Sequence, residues 1–172
     1  MMLNFLRNNK YAAILLTVLR VYIGYDWMTH GYEKLKAGGF DASGFIQGAI
    51  ANTGGEHPSV QGWWGTFLEN VALPNVGAFN FLVPLGEFLV GFALILGIFT
   101  SFSVLMGLTM NFAFLFSGTV STNAQLVLLQ MFILVAGYNA AQYGLDRYIL
   151  PFLRKMIKKD RNNMIQKKPI TT

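Results

Sequence analysis

The sequence contains no cysteine. Disulfides, thiol redox centres, zinc–thiolate sites and Cys-ligated iron–sulfur clusters are therefore excluded within this chain. Histidine is nearly as scarce: there are 2, His30 and His57, and His57 stands beside Pro58 in a loop. A bis-histidine haem needs two histidines stacked at mid-membrane, so neither haem nor a metal is expected within the chain. No glycine-rich nucleotide fingerprint, P-loop or HExxH motif occurs, and the glycines of GYDWMTHG lie in a helical pattern that follows no strand. Charge is scarce too, at 12% of residues, where a soluble domain carries about 25%. With 53% of residues hydrophobic, the chain has too little polar surface to face water on every side.

The charge that is present is unevenly placed. Of 13 Lys and Arg residues, seven lie between Arg154 and Lys168. A basic tail after an apolar body fits the positive-inside rule of membrane proteins better than a nucleic-acid surface, so no nucleic-acid partner is expected. Arg7 and Lys10 precede an apolar stretch in the manner of a signal peptide. No small-residue cleavage site follows, and the stretch runs into Arg20, Asp26 and Trp27, which reads as a retained anchor.

The 172 residues suit one domain. Hydropathy predicts an all-α fold, an integral membrane four-helix bundle over residues 1–150. Its spans are expected at about residues 11–35, 76–98, 101–116 and 124–143. From Val76 to Gly118 only Glu87 is charged. As one helix that stretch would reach about 64 Å, twice a bilayer core, so it must fold back. GIFTSFS (Gly97 to Ser103) is the natural hairpin, and SGTVSTN (Ser117 to Asn123) the next turn. Residues 151–172 are expected to form a basic cytoplasmic tail. The loop from Ala37 to Asn75 has no Lys or Arg and carries Asp41, Glu56 and Glu69. The expected placement is thus multi-pass in the plasma membrane, with both termini cytoplasmic and this loop outside.

Within the loop, FDASGFIQGAIA and GWWGTFLENVALPN repeat apolar residues at helical spacing. Two short amphipathic helices are expected there, lying in the outer interface with Trp63 and Trp64 as anchors. They would serve as a structural lid on the bundle or as a cover over a ligand pocket.

Arg20, Asp26 and Glu87 stand inside predicted spans, where a charge costs roughly 2.5–3.5 kcal/mol at the centre. At about 1.5 Å per residue, Arg20, Glu87 and Asn111 fall in one layer when depth is measured from the nearest predicted span ends. An Arg20–Glu87 pair helped by Asn111 is expected, acting as a register lock or as a binding and proton-transfer site. Arg20, Gly24, Trp27, Gly31 and Lys34 make one helical stripe, whose glycines permit close helix approach. Asp26 is one turn from His30 and is placed to orient its imidazole. His30 and Lys34 are expected near the outer interface, within reach of Glu69 or the Trp63–Trp64 lid.

Six segments resemble the DoxX/DoxD family of four-helix membrane proteins: LRVYIGYDWMTHGYEKL, FDASGFIQGAIA, GWWGTFLENVALPN, PLGEFLVGFALILGIFT, MNFAFLFSGTVSTN and AGYNAAQYGLDRYILP. They are spread along the chain from about Val18 to Pro151. The family's stripe falls on Arg20, Gly24, Gly31 and Lys34, and its second-span pattern on Glu87, Gly91 and Gly97. The resemblance implies a quinone-linked oxidoreductase subunit. The model type is the large subunit of thiosulfate:quinone oxidoreductase, and relatives are described as catechol- or quinone-stress oxidoreductases. The residues expected to do the chemistry are Arg20, Glu87 and Asp26. Those expected to hold the quinone are Trp27, His30, Lys34, Trp63, Trp64 and Asn111. The lipid bilayer, a second oxidoreductase subunit and a further copy of the chain are the partners considered. A non-enzymatic scaffold subunit and a small-solute transporter are the alternatives.

Overall fold

The computed structural model describes residues 1–166, and side chains as far as Lys159. The rest of the expected basic tail, residues 167–172, lies outside the described residues. Every regular element described is helical: α1 (Met2–Asn8), α2 (Lys10–Ala37), α3 (Ser43–Ala51), α4 (Gly62–Phe67) running into a π turn (Leu68–Ala72), α5 (Val76–Leu96), α6 (Thr100–Phe116), α7 (Asn123–Ala136), α8 (Tyr138–Ala141) and α9 (Asp146–Gln166).

Local chemistry sets most boundaries. Asn9 begins α2 by accepting from the amides of Tyr11 and Ala12 at 2.8 and 3.3 Å, which satisfies two donors a helix start leaves free. The α5–α6 hairpin is tighter. Phe99 takes a left-handed φ of 45°, which costs a non-glycine residue about 1–3 kcal/mol. Asp146 offsets that cost from far along the chain, because its two oxygens accept from the amides of Phe99 and Thr100 at 2.7 Å each. It is a helix cap supplied by another segment. The predicted span over 124–143 is not continuous. It breaks at Gly137, whose φ of 59° and ψ of −129° suit only a residue without Cβ.

The bundle is apolar outside and holds several polar groups within an apolar core. Leu15, Val18, Phe81, Leu82, Phe102 and Leu128 are exposed, while Arg20, Glu87, Asn111 and Gln130 are 0–2% exposed. Among the described residues α5 is long and apolar enough to cross a membrane, and α6 and α7 are shorter apolar helices. Helix α2 has ample length, but Arg20 and Asp26 interrupt its apolar run.

The long loop has a core of its own. Ala42, Ile46 and Ala49 from α3 and its approach pack against Val60, Leu68 and Ala72. Gly65 lies so close to Thr53 that no Cβ would fit. The second predicted loop helix does not run on unbroken, because it widens into the π turn at Leu68–Ala72. The unit is tied to the bundle at two places. Ala42 N donates to Asn80 on α5 at 2.8 Å, and Trp64 Nε1 donates to Ser117 Oγ at 2.9 Å.

Asp41 makes one of these ties pH-sensitive. Its carboxylate accepts from Ser43 Oγ at 2.6 Å, Ser43 N at 3.0 Å and Asn80 Nδ2 at 3.2 Å. Those bonds hold it below its ordinary value of 3.8. A carboxyl group depressed on folding contributes stability above its unfolded pKa and loses it as pH falls through the folded value. Amide exchange at Ser43, compared at one pH with Asp41→Asn as reference, should be slower in the wild type near neutrality. The advantage should vanish in acid below the folded pKa, and an advantage that survives there would refute this account.

Candidate functional site

The site is positioned by the antiparallel contact of α2 and α5. Gly24 and Gly31 of α2 and Gly91 of α5 let the two backbones touch. A Cβ at Gly31 would overlap the backbone of Phe88, and one at Gly91 would overlap that of Met28. Small residues that allow such approach are how helices pack where no hydrophobic effect drives them together.

That register decides which charges meet. Arg20 lies level with Gly97, where a Cβ would collide with its guanidinium. It is therefore roughly ten residues, or about 15 Å, from Glu87 along α5. The expected Arg20–Glu87 pair does not form. Depth counted separately on each helix took Ala12 as level with Ile98, whereas the glycine contacts put Arg20 at that level. The partner of Glu87 is Lys34, with Nζ 2.6 Å from Oε1. Glu87 is 2% exposed and the Lys34 side chain 29%. The ammonium also lies 5.2 Å from the ring centre of Phe40 and 5.8 Å from that of Phe114, within range of cation–π attraction. Glu87 Oε2 is buried and meets no donor.

The pair opens on a cavity of about 580 Å³ between α2, α5, α6 and the loop unit. That volume falls in the range of small-molecule sites. Asp26, Trp27, His30 and Lys34 of α2 line it, with Glu87 of α5. The loop unit contributes Phe40, Phe45, Trp64 and Phe67, and α6 contributes Phe114. Trp64 stacks on Phe67 at 5.0 Å, and Phe45 meets Phe114 edge-on at 6.0 Å. The result is an aromatic box with charged groups on one wall. Asp26 holds the neighbouring imidazole by two contacts. His30 Nδ1 is 2.8 Å from the Asp26 carbonyl and 3.6 Å from its carboxylate.

Behind Trp27 lies a second polar group. Asn111 Nδ2 donates to Gln130 Oε1 at 2.8 Å, and both residues are fully buried. Trp27 Nε1 and Gln130 Nε2 both lie against Gly107, in the space its Cβ would take. Asn111 bonds to neither Glu87 nor Arg20, contrary to expectation. It braces α6 against α7 behind the wall of the cavity.

Arg20 belongs to a separate cluster at the far end. It is 1% exposed, and Gly97 and Gly144 leave it room. The opposing charge comes from Asp146, which also caps α6. Backbone bonds from Leu145 N to Leu96 O and from Asp146 N to Gly97 O close this end. Arg20 thus stands apart from the cavity.

Of the nine residues singled out from sequence, Asp26, Trp27, His30, Lys34, Trp64 and Glu87 come together on the cavity wall, and Arg20, Trp63 and Asn111 do not. Trp63 is 57% exposed and packs on Trp64 and Phe116 from outside. Glu69 does not meet Lys34, which is taken by Glu87. Sequence reasoning passed over Asp146, Gln130 and Phe114. Gln130 had left a trace, as a lone amide in the apolar run LVLLQMFILV. Among the described residues no cluster of three His, Asp or Glu side chains gathers in a way that would hold a metal.

The family model for DoxX matches residues 15–119, the stretch that supplies α2, the loop unit, α5 and α6. No curated protein and no solved structure matches the chain. The match takes in the α2–α5 glycine contact, the Lys34–Glu87 pair and most of the cavity wall, and by it the chain belongs to the DoxX family.

Proposed function

We propose that this protein is a four-crossing membrane subunit that binds a quinone in the aromatic cavity and takes part in its reduction or oxidation. The observation that carries the reading is the cavity itself, aromatic on most sides, with a buried Lys34–Glu87 pair on one wall. Four crossings are supported by the outward-facing apolar side chains of α2, α5, α6 and α7. Charges inside such a bundle are rare and commonly functional.

The residues present suit a quinone. Its flat apolar ring suits walls that include Trp64, Phe45 and Phe114, and its two carbonyl oxygens need donors. Lys34 Nζ and the His30 ring line the cavity as donors, and Glu87 Oε2 is a free acceptor for the hydroxyl of the reduced form. When bound, the quinone supplies a two-electron, two-proton carrier. The chain's own part is to exclude water with aromatic walls, to orient the ring through Lys34, and to hold and return a proton at the Glu87 carboxylate. His30, 55% exposed and held by Asp26, is placed to exchange protons with the outside.

Trp27 and Trp64 give the test a signal, since both line the cavity. Titration of the purified protein with a short-chain benzoquinone should quench tryptophan fluorescence saturably. Ala113→Trp, on the α6 wall of the cavity, should weaken that binding more than about tenfold, a loss of roughly 1.4 kcal/mol or more. Linear, non-saturating quenching in the wild type, with no quinone found on solvent extraction of the membrane-purified protein, would overturn the proposal.

A further inference from the structure

Helix α9 has features that the cavity does not use. Its described side chains divide into two faces. With successive residues about 100° apart, Tyr148, Phe152 and Met156 share one face, and Arg147, Arg154 and Lys158 point the opposite way. Lys155 flanks the apolar face, and Lys159 ends it one turn beyond Met156. Tyr148, Phe152, Met156 and Ile157 are 70, 62, 50 and 67% exposed, so the bundle does not cover them. The only acid among the described side chains of α9 is Asp146, which is buried and committed to the α6 amides. Every other charged side chain described on α9 is therefore basic, although Leu150 and Ile157 share the side that carries Arg154.

The placement of α9 gives that pattern a target. Its first turn is fixed to the α5–α6 hairpin by the bonds from Leu145 and Asp146. Helix α1 is tied to the same end, because Asn139 donates to the carbonyls of Leu6 and Asn9 and Arg7 to that of Val135. There Met2, Leu3 and Phe5 are exposed in turn. One end of the bundle thus presents two helices with uncovered apolar residues, one of them strongly basic.

We infer that α9 is a docking helix for anionic phospholipid headgroups, lying in the membrane interface at the terminal end of the bundle. The apolar stripe enters the acyl boundary, and Lys155 from its flank and Lys159 from its end reach to the headgroups, as long basic side chains do. Charge complementarity selects anionic lipid, with each basic residue near such a surface contributing about a fivefold preference. The inference rests on the reading of the bundle as membrane-spanning.

The absence of native cysteine permits single-site spin labelling of the full chain. Nitroxides at Phe152→Cys and Met156→Cys would report the apolar face, and those at Arg154→Cys and Lys158→Cys the basic face. Leu89→Cys on the exposed flank of α5 serves as the control for membrane spanning. Each is reconstituted in bilayers of phosphatidylcholine alone or in an equal mixture with phosphatidylglycerol. Accessibility to oxygen is then compared with accessibility to a water-soluble nickel chelate. In the mixed bilayer the 152 and 156 labels should favour oxygen and the 154 and 158 labels the chelate. In phosphatidylcholine alone, or with Lys155, Lys158 and Lys159 changed to Gln, the 152 and 156 labels should shift toward the chelate. Equal accessibility on both faces, or no dependence on phosphatidylglycerol, overturns the inference. Spin–spin broadening at 152 and 156 overturns it in favour of contact between copies. A Leu89 label that favours the chelate would refute the spanning bundle instead.

Discussion

Lys34→Met should destabilise the protein far more than Glu87→Gln, although the two residues form one ion pair. Glu87 is buried and Lys34 is partly exposed, so the two losses are unequal. Without Lys34 the carboxylate remains in the interior with neither oxygen paired, and breaking a buried pair in this way costs about 3–5 kcal/mol. Without the carboxylate, Lys34 keeps a flexible stem and two aromatic rings within cation–π distance, and its ammonium can turn toward the rim. The cost is then nearer that of one charged hydrogen bond, about 1.5–3 kcal/mol. Lys34→Met combined with Glu87→Leu should recover most of the stability, because no charge is left unpaired. Unfolding in mild detergent, followed by circular dichroism, measures all three. The double variant also separates site from lock. A folded double variant that binds the benzoquinone as tightly as wild type would show that the pair only holds the helices in register.

Gly31→Ala and Gly91→Ala should each be severely destabilising, while Gly77→Ala should be neutral or mildly stabilising. All three lie within helices, where replacing Gly by Ala ordinarily gains about 0.5–1 kcal/mol. The contacts reverse the sign. At Gly31 and Gly91 the new methyl group would overlap backbone atoms of the facing helix. Backbone cannot turn aside as a side-chain tip can, so α2 and α5 must separate. Overpacking costs typically 1–3 kcal/mol, and this case belongs at about the upper end or beyond. At Gly77 nothing lies within 4 Å. Separation of α2 from α5 would also pull Lys34 from Glu87, so benzoquinone affinity should fall together with stability. Wild-type unfolding midpoints for Gly31→Ala and Gly91→Ala would disprove the close contact.

The cavity residues were only partly legible in the sequence, for a definite reason. Asp26, His30, Lys34 and Glu87 stood out because charge within apolar runs is conspicuous in any window. The glycine stripe on α2 stood out because residues four and seven apart share a helix face. The partner of each charge did not. Pairing depends on how far two antiparallel helices slide past one another, and a shift of three turns moves a residue about 16 Å. Estimated depth pairs Arg20 with Glu87, whereas the true level is set by glycines that touch backbone. Asp146 was missed because its value lies wholly in the fold. It stands at the head of a basic tail, and nothing local marks it as the cap of a helix some forty-five residues earlier.

The sequence by itself determined the helical character, the hairpin at Gly97, the hidden charges and the resemblance to DoxX, because each is written in composition, in turn chemistry or in spacing along one helix. Only the tertiary structure decided that Lys34 neutralises Glu87, that Arg20 lies at the Asp146 end and not beside Glu87, and that the long loop folds into a unit with its own core against the cavity. Those outcomes follow from helix register and from contacts between segments far apart in the chain. Such contacts are set by which side chains are small enough to let two backbones meet, and that is a property of pairs of helices, not of any single one.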